Sequence, residues 1–204
     1  MARRSEHSQQ ELKEMILSTS EAIVINEGFA ALNARKIAMK IGYTVGSIYM
    51  VFASMADLIL HIKARTLDDI VLQLEQIQHL DAAQNIEELA KTYLRYASQN
   101  FNRWNMIFEH PLPKDTQAYE WYKQKVDHVF DLVELQFAKL APDCSDRTKK
   151  RAARALWGGV HGICALSVSG TLDIVGVDDV EESVILLVRS FIQGWVATVH
   201  SEAG

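Results

Sequence analysis

Two short apolar patterns joined by a glycine constrain the fold of this chain more than any other feature. They lie in the segment 33–52, which reads NARKIAMKIGYTVGSIYMVF. In its first half Ile37, Ala38 and Ile41 fall on one face of a helix, and the small Ala38 allows a second helix to approach closely. Gly42 can end this helix, because glycine readily adopts the left-handed conformation that a tight turn requires. The pattern predicts a short helix followed by an abrupt turn.

The second half of the segment predicts another short helix that packs back on the first. Thr44 can cap this helix with its hydroxyl group, while Ile48, Val51 and Phe52 face the first helix. The arrangement is that of a helix-turn-helix, whose second helix enters the major groove of DNA. The alternative is an ordinary helical hairpin. The predicted outer face consists of Thr44, Val45, Ser47, Tyr49 and Met50.

About a quarter of the chain, from Leu12 to Leu60, resembles the N-terminal domain of the TetR family of bacterial transcriptional regulators. The matching motifs are Glu27-Gly28-Phe29, Arg35-x-Ile37-Ala38 and Gly42-x-Thr44-x-Gly46-Ser47-Ile48-Tyr49-x-x-Phe52. The resemblance implies an all-α fold in which an N-terminal domain binds operator DNA and a C-terminal helical domain dimerises and binds a small effector. It further implies that the protein is a cytoplasmic homodimer. The resemblance also implies that it acts as a repressor and that binding of the effector releases it from DNA.

The DNA-contacting residues expected from the pattern and the resemblance are Asn33, Arg35, Lys36, Thr44, Val45, Gly46, Ser47, Tyr49 and Met50. The chain departs from the family at two positions. Val51 stands where the family usually has His or Tyr, and Met55 stands where it usually has a phosphate-contacting Lys. No Lys or Arg occurs from Ile41 through Ile62, so we expect a modest ionic contribution to DNA binding. The cations expected to neutralise phosphates are Arg3, Arg4, Arg35, Lys36 and Lys40.

Charge is distributed unevenly along the 204 residues. Met1–Arg65 carries eight Lys and Arg against six Asp and Glu, a net charge of +2, whereas the remainder carries thirteen against twenty, a net charge of −7. A slightly basic head on an acidic body is typical of a protein whose body does not touch DNA. We predict a DNA-binding domain over residues 1–53 and an effector-binding and dimerisation domain over residues 54–204.

Strand-like alternation is scarce and only three prolines occur, which favours an all-α fold. Ser54-x-x-Asp57 resembles a capping box and opens a long helix that runs to about Gln78. Asn85 is a candidate cap for the next helix. A short helix around Trp104–Glu109 ends before prolines 111 and 113. Further helices are predicted over about 117–140, 146–169 and 178–202, with a loop over 170–177.

The last two predicted helices each carry small residues at alternating steps of three and four along one face. Glycine inside a helix costs about 1 kcal/mol relative to alanine, so several glycines on one face require a packing reason. Close approach of helices is that reason, either between subunits or within one. We favour an interface between subunits, since the resemblance implies a four-helix bundle built from these helices. The expected interface residues are Ala155, Gly158, Gly162, Ala165, Ser190, Gly194 and Ala197.

Aromatic residues crowd the middle of the chain, and core packing explains most of them. Several could instead line an apolar cavity that holds a few polar groups. The resemblance implies an effector pocket between the short helix at Trp104–Glu109, the helix ending at Leu140 and the first dimer helix. Such a pocket suits a small hydrophobic molecule better than a sugar or nucleotide. The residues expected to reach it are Trp104, Phe108, Trp121, His128, Trp157 and His161.

No metal site, cofactor or enzymatic activity is predicted. His161 and Cys164 could place two metal ligands on one helix face, but no further ligand completes a set nearby. The motifs G-x-S-x-G and H-E-x-x-H and the P-loop do not occur. Two cysteines, no signal peptide and no long uncharged apolar run predict a soluble intracellular protein. The alternative function is that of a helical ligand-binding or scaffold protein whose head has lost DNA binding.

Overall fold

The computed structural model describes residues 7–77, 81–109 and 117–202, and every regular element in these ranges is helical. The prediction of an all-α fold is confirmed. A one-turn 3-10 helix at Phe29–Ala31 follows the first α-helix. The α-helices are α1 (Gln9–Glu27), α2 (Ala34–Ile41), α3 (Val45–Tyr49), α4 (Met55–Leu74), α5 (Ala82–Gln99), α6 (Phe101–Glu109), α7 (Gln117–Leu140), α8 (Asp146–Val168), α9 (Thr171–Ile174) and α10 (Val180–Glu202).

The described residues fall into two compact units. One lies within Met1–Thr66 and Asn102–Lys123, and the other lies within Leu67–Phe101 and Gln124–Gly204. Helices α4 and α7 each contribute residues to both units. The compact units therefore divide the chain at points other than residue 53, and the functional boundary between residues 53 and 54 stays a prediction.

The core of the first unit is built from α1, α2, α3, the start of α4 and one residue of α6. Two carboxylates of α1, Glu14 and Glu21, pair with Arg65 of α4 at the edge of this core. Since α2 and α3 are too short to be stable alone, burial of their apolar faces holds them in place. The buried residues are Ile16, Leu17, Ile23, Val24, Ala34, Ile37, Ala38, Ile48, Phe52, Leu58, Ile62 and Met106.

Side-chain caps fix where several helices begin. Ser54 Oγ accepts a hydrogen bond from the Asp57 amide at 3.1 Å, as the motif predicts, whereas the Asp57 carboxylate accepts one from the Ala53 amide at 2.9 Å, one residue before the cap. The predicted cap at Asn85 is wrong. Asp81 caps α5 by accepting hydrogen bonds from the amides of residues 83 and 84, and Asn85 lies buried inside the helix.

In the second unit α5, α8 and α10 pack on one another. The predicted spans of α7 and α8 agree with the structure to within one residue. Helix α4 ends at Leu74 rather than near Gln78, because the Ile77 amide bonds to the Leu74 carbonyl in a tight turn. Within the predicted loop 170–177 the chain forms the short helix α9, which was not expected.

Candidate DNA-binding site and ligand cavity

Helices α2 and α3 are joined by a turn that Gly42 makes possible. Gly42 has φ +73° and ψ 26°, the left-handed conformation that costs other residues about 1–2 kcal/mol. The Tyr43 amide then bonds to the Ala38 carbonyl at 3.0 Å, which satisfies an end of α2. Thr44 begins α3 by accepting a hydrogen bond from the Ser47 amide at 3.2 Å. The predicted helix-turn-helix is present.

Burial separates the two faces of α3 as the apolar pattern predicts. Ile48 is fully buried against the core, together with Phe52 just beyond the helix. On the opposite side Tyr49 is 47% exposed and Met50 is 80% exposed. Thr44 and Gly46 are also exposed, while Val45 and Ser47 are partly so. The structure therefore brings these six predicted contact residues together around one short helix.

The predicted cations of this face are partly engaged by a carboxylate. Lys36 Nζ donates a hydrogen bond to Glu27, the last residue of α1, and this bond holds the pKa of the Glu27 carboxyl below its usual range. Lys40 Nζ lies 4.0 Å from the same carboxylate. Arg35 is exposed. The Asn33 side chain caps α2 by accepting a hydrogen bond from the Lys36 amide. The other expected cations, residues 3 and 4, lie outside the described residues.

Two contacts at this face were not anticipated from the sequence. The first is the ion pair between Glu27 and Lys36. These residues lie nine positions apart on two different helices, so the spacing within one helix could not predict their contact. The His7 ring and the Tyr43 hydroxyl form a hydrogen bond of 2.8 Å, which ties the residues before α1 to the turn of the helix-turn-helix.

An apolar cavity lies inside the second unit, between α4, α5, α7 and α8. Its volume is about 60 Å³, and about 500 Å³ when the gaps between atoms and the open solvent at its mouth are counted. The mixture of aliphatic and aromatic walls, with no charged residue among the described lining, suits an apolar occupant. Its lining residues are Leu74, Ile86, Leu89, Ala90, Tyr93, Val129, Phe130, Val133, Ala153, Leu156, Trp157 and Val160.

Polar groups near the cavity are paired with one another. The Tyr93 hydroxyl and His161 Nδ1 form a hydrogen bond of 3.0 Å. The Trp157 ring stacks on His161 with 5.0 Å between centroids and meets Phe130 edge-on at 5.6 Å. Burial lowers the pKa of His161 below its ordinary value, which favours the neutral ring. Tyr93 was not among the predicted effector residues, since its partnership with residue 161 depends on how α5 packs on α8.

The predicted effector residues do not all lie at this cavity. Trp157 lines it, and His161 contacts Trp157. His128 is exposed on α7, with Nε2 3.5 Å from a Glu75 carboxylate oxygen. The remaining predicted residues lie in the first unit. There Trp104 is buried beside Phe108 at 5.4 Å, and the Trp121 ring lies 4.8 Å from that of His61.

The small residues of α8 and α10 leave an open surface. A Cβ atom added at Gly158, Gly162 or Gly194 would meet no described atom of another part of the chain within 4 Å. The close approach of α8 to α10 occurs instead at Gly159, where an added Cβ would lie 2.8 Å from Leu187 Cδ2. Of the predicted interface residues, Gly162 and Ala165 are partly buried. The exposed ones are Ala155, Gly158, Ser190, Gly194 and Ala197.

Helix α10 is the one described helix that is long and apolar enough to cross a membrane, over Val180–Ser201. Only 17% of its most apolar stretch is buried within the chain. Length and composition alone are weak evidence of a membrane span, and they do not indicate a membrane protein here.

Solved structures share this fold at low sequence identity. A protein of unknown function from Rhodococcus sp. RHA1 superposes with a TM-score of 0.73 and 20% identity over 94% of this chain and 98% of that one. FadR from Bacillus subtilis, in complex with stearoyl-CoA, superposes with a TM-score of 0.63 and 12% identity over 90% of this chain and 97% of that one. The TetR-family regulator PfmR from Thermus thermophilus superposes with a TM-score of 0.61 and 14% identity over 87% of this chain and 97% of that one.

Family models match both parts of the chain, whereas no curated protein matches it significantly. Residues 16–62 match the model described as bacterial regulatory proteins, tetR family, and residues 86–191 match the model described as tetracyclin repressor-like, C-terminal domain. The second match alone covers half of the sequence. Together with the helix-turn-helix, these matches establish that the chain belongs to the TetR family of transcriptional regulators.

Proposed function

We propose that the chain is a cytoplasmic, homodimeric repressor that binds operator DNA through α3 and leaves it when a small apolar molecule occupies the cavity. The observation that carries the proposal is the exposed outer face of α3, which lies opposite the fully buried Ile48 and Phe52 of the helix-turn-helix. Tyr49 and Met50 are large side chains that are exposed, and a major groove would receive them.

The composition of this face supports a particular kind of DNA contact. Thr44, Ser47 and Tyr49 offer hydroxyl groups for phosphates or base edges, and Val45 and Met50 offer apolar contacts. Because cations are few, the slope of log affinity against log salt should be shallower than about −6, given roughly −0.9 per neutralised phosphate.

The open glycines of α8 and α10 support a dimer. A Cβ atom added at Gly158, Gly162 or Gly194 would meet no described atom of another part of the chain within 4 Å, and α10 leaves most of its apolar stretch unburied. A second copy with the same two helices would bury both features in a four-helix bundle. Two recognition helices would then read a pseudo-palindromic operator with half-sites about one helical turn or somewhat more apart.

The apolar cavity supports a hydrophobic effector. Among the described residues no Lys or Arg lines it, so a multiply phosphorylated group would find no partner there. The structurally similar FadR is in complex with stearoyl-CoA, a ligand with a long hydrocarbon chain. To release DNA, an effector must bind the DNA-incompetent state more tightly than the competent state. Helix α4, which contributes to both compact units, is the element through which we expect this difference to act.

The decisive experiment measures binding of the purified protein to DNA from upstream of its own gene, at several salt concentrations. We expect saturable binding that a Tyr49→Ala/Lys36→Ala double variant loses. Addition of hydrophobic compounds identified by calorimetry should then release the wild-type protein. Equal DNA binding by the wild type and the double variant would contradict the assignment of this face.

The second candidate function is a ligand-binding protein of the same fold that no longer binds DNA. The engagement of Lys36 and Lys40 by Glu27 favours it, because the carboxylate offsets part of the positive charge near the helix-turn-helix. Absence of binding to any DNA at low salt, together with ligand binding in the cavity, would support this candidate over the first.

A further inference from the structure

A polar groove adjoins the apolar cavity in the second unit. Leu74 and Leu89 line both spaces, so the cavity and the groove meet at these two side chains. The groove holds about 690 Å³ of space when open solvent is counted, and it lies between the end of α4, the start of α5 and the second half of α7. Its polar lining residues are Glu75, Asn85, Gln136 and Lys139.

The wall of the groove contains two buried amides. Asn85 is 4% exposed and Gln136 is 9% exposed. The Asn85 amide Nδ2 donates to Gln136 Oε1 at 3.1 Å, and Lys139 Nζ donates to the same oxygen at 3.2 Å. Two donors therefore converge on one acceptor. Burying such groups is unfavourable unless they are hydrogen-bonded, and these two bonds meet part of that requirement.

The amide nitrogen of Gln136 completes the donor set. Within the described ranges Gln136 forms hydrogen bonds through Oε1 only, and its Nε2 remains available at the groove. Lys139 is exposed and supplies a cation one turn further along α7. An amide N–H and an ammonium group on the same wall suit an oxygen acceptor such as a carboxylate or a carbonyl.

We propose that the ligand is amphipathic: its apolar part occupies the cavity, and a single carboxylate or carbonyl head lies in the groove against Gln136 and Lys139. The ligand passes between Leu74 and Leu89, whose side chains form the narrow point. The proposal rests on the function proposed above, since it takes the cavity as the effector site.

The charges of the groove restrict the head group further. Glu75 stands on the α4 side, with His128 Nε2 3.5 Å from its carboxylate. Glu75 would repel a head with two or more negative charges. Among the described lining residues only one lysine, Lys139, could attract such a head. The groove therefore selects one acceptor group, and a singly charged carboxylate gains most because a charged partner strengthens the hydrogen bond.

The test compares matched probes on the full chain by titration calorimetry. The probes are straight-chain carboxylic acids, their methyl esters and alkanes of equal chain length from six to twelve carbons. For the wild type we expect acids to bind about tenfold more tightly than alkanes, with esters between them. Lys139→Met should remove the preference for acids over esters and leave alkane affinity unchanged. Gln136→Leu should reduce the advantage of acids and esters alike.

A control variant and distinct outcomes separate this proposal from the one on which it rests. Lys150→Met changes an exposed lysine on α8 and should leave all affinities as in the wild type. Equal binding of acids and alkanes by the wild type would overturn the amphipathic ligand while keeping the cavity. A preference for acids that survives Lys139→Met would overturn the assigned head position. Binding by none of the probes would overturn the cavity as an effector site, and this inference with it.

Discussion

At the scale of single residues, we expect Glu27 to limit the positive charge that the proposed DNA-binding face can offer. Its carboxylate bonds to Lys36 and lies 4.0 Å from Lys40, so phosphate oxygens must compete with it for these cations. An acidic residue at the last position of α1 is also unfavourable for the helix dipole, which makes its presence there notable. We infer that Glu27 weakens binding to DNA of any sequence.

Glu27→Gln should therefore strengthen DNA binding and steepen its dependence on salt. If Lys36 and Lys40 become free to neutralise phosphates, the slope of log affinity against log salt should become more negative by about 1 to 2. Fluorescence anisotropy with a labelled duplex at four salt concentrations measures this slope. Glu87→Gln, which breaks an exposed pair with Arg189 in the second unit, is the matched control. A slope that Glu27→Gln leaves unaltered would show that the pair does not limit the cations.

The burial of Lys63 predicts a pH-dependent contribution to stability. It is fully buried, and its Nζ donates to the Ile107 carbonyl at 2.9 Å, one of the last four carbonyls of α6. Burial lowers the pKa of Lys63 to about 8, against a raising effect of Glu109. Between pH 8 and about 10.5 the unfolded chain keeps this proton while the folded chain has lost it, so stability should rise with pH there.

Lys63→Met should remove this rise, because methionine keeps an apolar stem and has no proton to release. The free energy of unfolding of the wild type, relative to the variant, should increase by up to about 3 kcal/mol from pH 7.5 to 10, since one pKa unit corresponds to about 1.4 kcal/mol. Urea titrations of both proteins at these two pH values measure the difference. Parallel pH profiles would contradict the assignment of this titration to Lys63.

At the scale of secondary-structure elements, α3 depends on its cap more than longer helices do. It spans five residues, Val45–Tyr49, and a helix of this length has almost no stability of its own. Thr44 holds its first turn through the bond from the Ser47 amide at 3.2 Å. Beside the burial of Ile48, this hydroxyl group therefore helps to set the geometry of the proposed DNA-binding face.

Thr44→Ala should lower the free energy of unfolding by about 1 kcal/mol and weaken DNA binding by more than the loss of one contact explains. Thr44→Ser keeps the hydroxyl group and should retain most of the stability and most of the DNA affinity. Denaturation curves and anisotropy titrations of the two variants provide the comparison. Equal behaviour of the alanine and serine variants would mean that the cap does not organise α3.

The sequence was informative about elements whose signals are local. The cap at Ser54 and the end of α7 at Leu140 depend on neighbouring residues, and these predictions are confirmed. Asn85 and Asp81 are both residue types that cap helices well, and in the structure Asp81 caps α5 while Asn85 bonds to Gln136 of α7. The members of the cavity were harder to predict. Whether an aromatic ring such as Trp104 fills a core or lines a space depends on distant helices, which composition does not encode.

At the scale of the whole molecule, Gly159 and Gly162 allow the two possible roles of the α8 glycines to be separated. Gly159 faces Leu187 of α10 within the same chain, whereas Gly162 faces open space. Gly159→Leu should therefore lower stability by about 1–3 kcal/mol through overpacking. Gly162→Leu should leave helical content unchanged and convert dimers to monomers or aggregates, with DNA affinity lost as well.

Sedimentation velocity and circular dichroism distinguish these two effects. A folded, fully dimeric Gly162→Leu protein would show that this face of α8 lies outside the subunit interface. Gly194→Leu provides the same test for α10, where the added side chain also enters open space.

Because α10 buries only 17% of its most apolar stretch within its own chain, a solitary chain leaves a strip of hydrocarbon in contact with water. Where pairing with a second copy covers that strip, the number of pairs at low abundance grows with the square of the number of chains. Operator occupancy would then respond to synthesis more steeply than in proportion. Unpaired chains would meanwhile present the strip to chaperones and proteases, so the same surface would set both the sharpness of the genetic response and the lifetime of scarce copies.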